Sequence, residues 1–248
     1  MLQRHQQDWD ELGKLDPLWA VLSEPTRQYG RWDHEEFFRT GEEMVEKVVR
    51  TAASHGLPSA HGRALDFGCG VGRLTRALSS RFSNCCGVDI SEQMIRQARR
   101  LNSSVRNCFF MVNSDPHLGI FSSEHFDCIV SILVLQHLPR RDWIYSAISE
   151  FVRVLKHGGL LVFQLPSFIP WRNRVQLRRR AYQALRAAGL GHDFLYRSLG
   201  LNPIRMNYLP RNSVAGFVSH AGGRIVAHET QTVMQKGPIQ STTYYVTK

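Results

Sequence analysis

Ala64-Leu65-Asp66-Phe67-Gly68-Cys69-Gly70-Val71-Gly72-Arg73-Leu74-Thr75 is the stretch whose reading decides the fold. Ala64 to Phe67 is short and apolar apart from one carboxylate, which reads as the end of a buried parallel strand. Three glycines follow at every second position, and Arg73 to Arg81 then sets Leu74, Ala77 and Leu78 on one helical face. Strand, glycine turn and helix together point backbone N–H groups and a helix N-terminus at a ligand, with no Cβ to hold it away.

The spacing narrows the ligand. Gly68-x-Gly70-x-Gly72 closes its third glycine one residue too early for the dinucleotide fingerprint, and no Gly-Lys-Ser/Thr ending follows for a triphosphate loop. Asp66, two residues before the first glycine, would repel a pyrophosphate and welcome an ammonium. Cys85-Cys86-Gly87-Val88-Asp89 reads as a second strand ending in an acid, at the distance where ribose hydroxyls are bound. One acid for an amino group and one for a ribose describe an amino-acid-bearing nucleoside.

Leu65 to Gly72, followed by Gly87-Val88-Asp89-Ile90-Ser91-x-x-Met94, resembles the class I S-adenosylmethionine-dependent methyltransferases, of the small-molecule type 11/12. Phe126-Asp127-Cys128-Ile129-Val130-Ser131 and Arg153-Val154-Leu155-Lys156-His157-Gly158-Gly159 continue the match in the same order, over roughly residues 41–164. The resemblance implies an α/β, Rossmann-like sheet of seven mostly parallel strands with helices on both faces, the last strand antiparallel. It implies S-adenosyl-L-methionine as cofactor and S-adenosyl-L-homocysteine as product. Asp66 and the Gly68, Cys69, Gly70 and Gly72 backbone would hold the methionine part, Asp89 the ribose, and Ile90 with Met94 one adenine face. Ser131 would offer its carbonyl to the amino group. The adenine amino group falls to Asn113 and Ser114, or to Asp115 one residue on, since the family's usual Gly-Asp is missing here.

With 248 residues and 43% apolar content the chain holds one large domain, and global disorder is excluded. Its polar first residues lack a signal peptide's apolar core, and the longest apolar runs are too short to cross a bilayer, so a cytoplasmic location is expected. The five cysteines fall in predicted strands or the glycine loop without zinc-type C-x-x-C spacing, reading as buried thiols rather than metal ligands. The net charge of +10 is concentrated: residues 167–212 carry nine arginines, no lysine and one acid, Asp193.

Four regions follow. Residues 1–40, aromatic and acidic without a clean period but with a short helix from Asp33 to Phe38, form an N-terminal arm packed on the domain or, as the resemblance implies, a cap over the cofactor or substrate mouth. Residues 41–166 form the cofactor-binding core, opening on a helix from Gly41 to Ser54 and including strands at 107–112, 126–131 and 159–165 and a helix at 140–155. Residues 167–210 are a basic helical insertion in which Phe168, Trp171, Val175, Tyr182 and Leu185 make an apolar stripe, read as a substrate lid. Residues 211–248 supply a helix and two last strands, at 224–229 and 242–247.

Methyl transfer from a sulfonium is an in-line displacement with a neutral leaving group, so alignment and exclusion of water matter most. A base is needed only for a protonated nucleophile. His137, just past the fourth strand, is the candidate, against the simpler reading that it caps the next helix or lines the pocket. Phe38, Gln136, Trp171 and Tyr182 are the candidate substrate contacts. The expected acceptor is a small molecule, anionic if the arginines meet it rather than form the solvated face of the lid. The alternatives are an RNA or carrier-tethered substrate, and an S-adenosylmethionine-binding protein without transferase activity.

Overall fold

The computed structural model describes residues 2–115, 117–234 and 237–248; Pro116, which the sequence places in the turn after the third strand, lies outside them. The chain starts with two helices, α1 (Leu2–Leu15) and α2 (Pro17–Val21), then a long α3 (His34–Ala53). The core alternates β1 (Arg63–Phe67), α4 (Arg73–Leu78), β2 (Asn84–Asp89), α5 (Glu92–Leu101) and β3 (Cys108–Val112). It continues with β4 (Phe126–Ser131), a single turn at Leu135–His137, α6 (Arg141–Val154) and β5 (Leu155–Phe168). Three short helices follow, α7 (Trp171–Arg174), α8 (Leu177–Ala187) and α9 (His192–Arg197). Then come α10 (Arg211–His220), β6 (Arg224–Met234) and β7 (Pro238–Thr247).

The seven strands form one sheet in the order β3-β2-β1-β4-β5-β7-β6, with β7 antiparallel to both its neighbours and the remaining pairings parallel. This is the Rossmann-like arrangement expected. Strand order reverses between β1 and β4, which opens a crevice at their carboxyl ends. Both faces of the central strands are covered, which is why they read as apolar runs. Leu65, Ile129, Leu161 and Phe163 face Ile148 and Phe151 of α6 and Val214 and Val218 of α10. Ala64, Cys128, Val130 and Val162 face Val45, Val48 and Ala52 of α3 and Leu74 and Leu78 of α4. Each large apolar side chain buried this way contributes about 1.5–3 kcal/mol.

Several elements differ from the sequence reading. The short helix at Asp33 and the helix at Gly41 are one: Asp33 caps it by accepting from Glu36 N at 2.9 Å, and Gly41 lies inside it. A Cβ at Gly41 would come within 2.5 Å of the Arg73 carbonyl, so the glycine is there for close packing on α4. The stripe at residues 168–185 is broken, because Gln176 takes a left-handed φ of 51° between α7 and α8. Trp171 is 69% exposed while Tyr182 is buried. The last two strands are longer than expected, continuing as a hairpin past Glu229. No helix among the described residues is long and apolar enough to cross a membrane.

The N-terminal segment is held by Leu12, with Trp9 and Leu15, against Leu18, Trp19, Val71 and Met94, and by polar bonds as well. Asp10 Oδ1 accepts from Ser91 Oγ at 2.7 Å and Gln93 N at 3.1 Å, adding a second cap to α5 beside Ser91's own bond to Met94 N. Gly13 lets α1 approach α5, where a Cβ would stand 3.2 Å from that of Gln93. The buried carboxylate of Asp16 accepts from the N–H groups of Tyr29 and Gly30 and from Tyr196 Oη at 3.0 Å, tying arm to insertion. Around it pack Leu18, Trp19, Phe37 and Phe38.

Candidate active site

A cavity of about 110 Å³ lies at the carboxyl ends of β1, β2 and β4. The glycine turn makes one wall. Gly68 and Gly70 hold φ of 75° and 53°, conformations that favour glycine, and both line the cavity. A Cβ on Gly68 would collide with Val134, and one on Gly70 with Val21 of α2, at 2.4 and 2.2 Å from the nearest methyl carbons. Gly72, at φ 85°, is needed elsewhere: its Cβ would strike Phe110 and Asn102, which pack against the start of α4.

Asp89 lines the same cavity and is fixed by its own turn, accepting from Gly70 N and Ser91 N at 2.9 Å each. Its carboxyl is pushed up to about 6, first by burial and with a contribution from Asp10, although these N–H bonds oppose the shift. A carboxylate has about four lone-pair sites, more than the backbone N–H groups of Gly70, Ile90 and Ser91 take. Ile90 and Met94 are beside it, with Asn113 at the end of β3. Asn113 Nδ2 donates to the Asp115 carbonyl at 3.1 Å, and Asp115 shares the cavity wall whereas Ser114 does not.

The other sequence-derived residues lie off this wall. Asp66 is buried beneath the turn, accepting from Thr75 Oγ1 at 2.7 Å, and burial raises its carboxyl to about 6. Cys69 is buried against Ile95, Ala98 and Phe110. Ser131 Oγ donates to the Phe67 carbonyl at 3.2 Å, joining the ends of β4 and β1. Phe38 lies under the Arg76 guanidinium at 4.6 Å, and Tyr182 Oη bonds His192 Nδ1 at 2.5 Å. Gln136 is buried, its carbonyl accepting from Asn207 N at 2.7 Å. Trp171 points to solvent beside Arg172.

His137 does reach the site. It lines this cavity and a second one of about 310 Å³, and its ring stands 5.5 Å from that of Trp9. Nδ1 lies 2.5 Å from the Arg205 carbonyl oxygen. A carbonyl only accepts, so Nδ1 carries the proton and Nε2 keeps a lone pair. Burial pushes the ring down to about 4, and it is neutral at pH 7.

Leu2, His5, Trp9, Ala20 and Val21 form the cover, all from α1 and α2. Sequence reasoning named none of them as site residues. The resemblance places such an N-terminal segment over the mouth of the site, but residue by residue the signal is only a tryptophan and a histidine four residues apart.

Residues 65–163 match a family model described as a methyltransferase domain. A 24-methylenesterol C-methyltransferase 2 of Oryza sativa subsp. japonica is 34% identical over 133 residues, 52% of this chain and 34% of its own. A trans-aconitate 2-methyltransferase of Enterobacter sp. (strain 638) is 28% identical over 61% of this chain and 58% of its own. The chain thus spans between about a third and three-fifths of these curated relatives. Among solved structures, magnesium protoporphyrin IX methyltransferase from Synechocystis PCC 6803, with SAH bound, superimposes with a TM-score of 0.63. It is 18% identical, over 100% of this chain and 99% of that one. YcgJ from Bacillus subtilis gives 0.61 at 15% identity, over 85% and 98%.

Proposed function

Because the core of this chain is a methyltransferase domain of the class I, S-adenosylmethionine-dependent type, we propose that the protein transfers the methyl group of S-adenosyl-L-methionine to a small-molecule acceptor. The observation that carries this reading is the cavity at the strand-order reversal, which joins Gly68, Gly70, Asp89, Ile90, Met94 and Asn113 on one wall. These residues fit the cofactor. Gly68 and Gly70 allow backbone to approach it, the free lone pairs of Asp89 suit a ribose diol, and Ile90 with Met94 offers an apolar face for adenine. Asp66, bonded to Thr75, would act by holding the turn from beneath.

When bound, the cofactor supplies an electrophilic methyl group and leaves as a neutral thioether. The chain's own residues align the acceptor and keep water out. The α1–α2 cover does the second. As closed it leaves about 110 Å³, against roughly 300–1,000 Å³ in ordinary small-molecule pockets. His137, neutral with Nε2 free of its proton, is placed to take a proton from an acceptor O–H or N–H as the methyl is transferred. Relatives named for a sterol, for trans-aconitate and for ubiquinone biosynthesis support a small-molecule acceptor. The exposed Arg178, Arg180 and Arg186 on α8 favour RNA as the second reading.

Calorimetry with S-adenosylmethionine, followed by an acceptor screen read by release of S-adenosylhomocysteine, tests the proposal. Saturable cofactor binding and product release are expected, and absence of binding would overturn it. His137→Asn keeps a donor for the Arg205 carbonyl but removes the base. It should lower kcat about 10²- to 10⁴-fold with cofactor affinity unchanged. An unchanged kcat would restrict His137 to lining the pocket.

A further inference from the structure

The larger cavity, of about 310 Å³, has its own chemistry. It meets the smaller one along a row of rings, His5, Trp9 and His137, that lines both. Its far side carries three guanidiniums, Arg4 from α1, Arg179 from α8 and Arg205 from the segment leading to α10, against one carboxylate, Asp8. Leu12, Pro203 and Ile204 make apolar surface between them.

The arginines are only partly committed. Arg179 Nε donates to the Pro203 carbonyl at 3.1 Å, and Arg205 Nη1 donates to the Pro139 carbonyl. Each bond orients a guanidinium, and a guanidinium has five N–H groups in a fixed fork. Arg179 is depressed from its ordinary value, first by burial and then by the like charges of Arg205, Arg4 and Arg180. Asp8 is a poor counter-ion. Burial lifts its carboxyl to about 6, although Arg4, Arg179, Arg186 and Arg205 pull it down. Among the described residues, Asp8 makes no ion pair within 4 Å with any of them. Like charges half-removed from water repel strongly, and an entering oxyanion would relieve that repulsion.

We propose that this second cavity is the acceptor subsite and takes a small organic anion. Arg179 and Arg205 grip its carboxylate or phosphate group, and its reactive end passes the row of rings toward the smaller cavity. The assignment deepens the methyltransferase reading and rests on it for the word acceptor. The anion site itself rests on the arginines. Paired guanidiniums suit carboxylate and phosphate because each can donate two parallel N–H bonds. The apolar surface beside them gives the remainder of an organic anion somewhere to pack. A long polyanion is disfavoured here, since this cavity is bounded on one side by α1 and on another by the stapled loop at Pro139.

The test is calorimetry at constant ionic strength with citrate and with inorganic phosphate as separate probes, on the full chain. Saturable binding of at least one is expected, with the stronger probe distinguishing a carboxylate from a phosphate site. Arg179→Gln and Arg205→Gln should each weaken that binding at least tenfold. Arg180→Gln, an equal loss of charge at an exposed position of the same helix, should stay within twofold. Arg179→Lys, which keeps the charge and loses the fork, should fall between. Melting temperatures verify that each variant folds. Absence of saturable binding, or equal weakening by Arg180→Gln, would overturn the site. Displacement of citrate by a single-stranded RNA oligonucleotide would overturn it in favour of a polyanion groove. S-adenosylhomocysteine titrated into the same preparations separates the two claims. If it binds while neither anion does, the acceptor subsite fails alone. If an anion binds and it does not, the methyl-donor reading fails while the anion site stands.

Discussion

Acidification acts on His137 and on the buried aspartates in opposite directions. The ring is held near 4 in the folded chain against 6.5 in the unfolded one. Between those values the unfolded chain takes up a proton that the folded chain refuses, so stability falls as pH falls through that window. His5, also pushed down to about 4, adds to the same loss. Asp8, Asp66 and Asp89, raised to about 6 from 3.8, do the reverse, since the folded chain is protonated first as pH falls. His137→Asn subtracts one contribution only. Between pH 7.5 and 5, urea titrations should show wild type losing of order 1–2 kcal/mol more stability than the variant. Equal losses would mean that the folded ring takes up a proton freely. The residues of the glycine turn and the ends of the second and third strands were legible in the sequence because each lies next to a strand end. Gly68, Gly70 and Asp89 stood out by local spacing, whereas Asn113 was named, with Ser114 or Asp115, only through the family resemblance. Arg179 and Arg205 did not follow, because well over half of the chain separates them from the α1 residues they face, and nothing local marks one arginine in nine.

At the scale of elements, α1 holds its place through the packing of Trp9, Leu12 and Leu15 and through a few polar bonds. Asp10 is the most economical to remove. Asp10→Ala withdraws the acceptor shared by Ser91 Oγ and Gln93 N, and bonds to a charged group are worth about 1.5–3 kcal/mol. Hydrogen exchange over residues 2–15 should then quicken markedly, while β1, β4 and β5 keep their protection. Unchanged exchange in α1 would show that the cover is held elsewhere, through Asp16 and its bonds to Tyr29, Gly30 and Tyr196. Periodicity missed this helix because its inward face, Leu2, His5, Trp9, Leu12 and Gly13, mixes apolar side chains with a histidine and a glycine, and Gly13 is there for closeness to α5. α5 itself was readable, since Ser91 is its N-cap and Met94, Ile95 and Ala98 repeat at helical spacing. On α8 the misreading came from Gln176, whose left-handed backbone no composition rule demands.

Across the whole molecule the sheet gathers four of the five cysteines onto strands, with the fifth in the glycine turn, and all five are free thiols. Burial raises every one of them, Cys86 and Cys128 to about 12, so thiolate is scarce at neutral pH. Native protein should therefore take up iodoacetamide slowly, and denaturant should bring five equivalents by mass, in one step if the sheet opens as a unit. Rapid labelling of Cys86 or Cys108 before unfolding would show local opening near β2 and β3. One contact reaches further than the fold. His137 is held by the backbone carbonyl of residue 205, not by the arginine side chain. Any amino acid at that position would supply the same oxygen. Changes at residue 205 leave that oxygen in place but remove the arginine's own bond to the Pro139 carbonyl, two residues past the imidazole. One residue thus grips the loop twice, through a backbone oxygen that every amino acid keeps and a guanidinium that drift can lose.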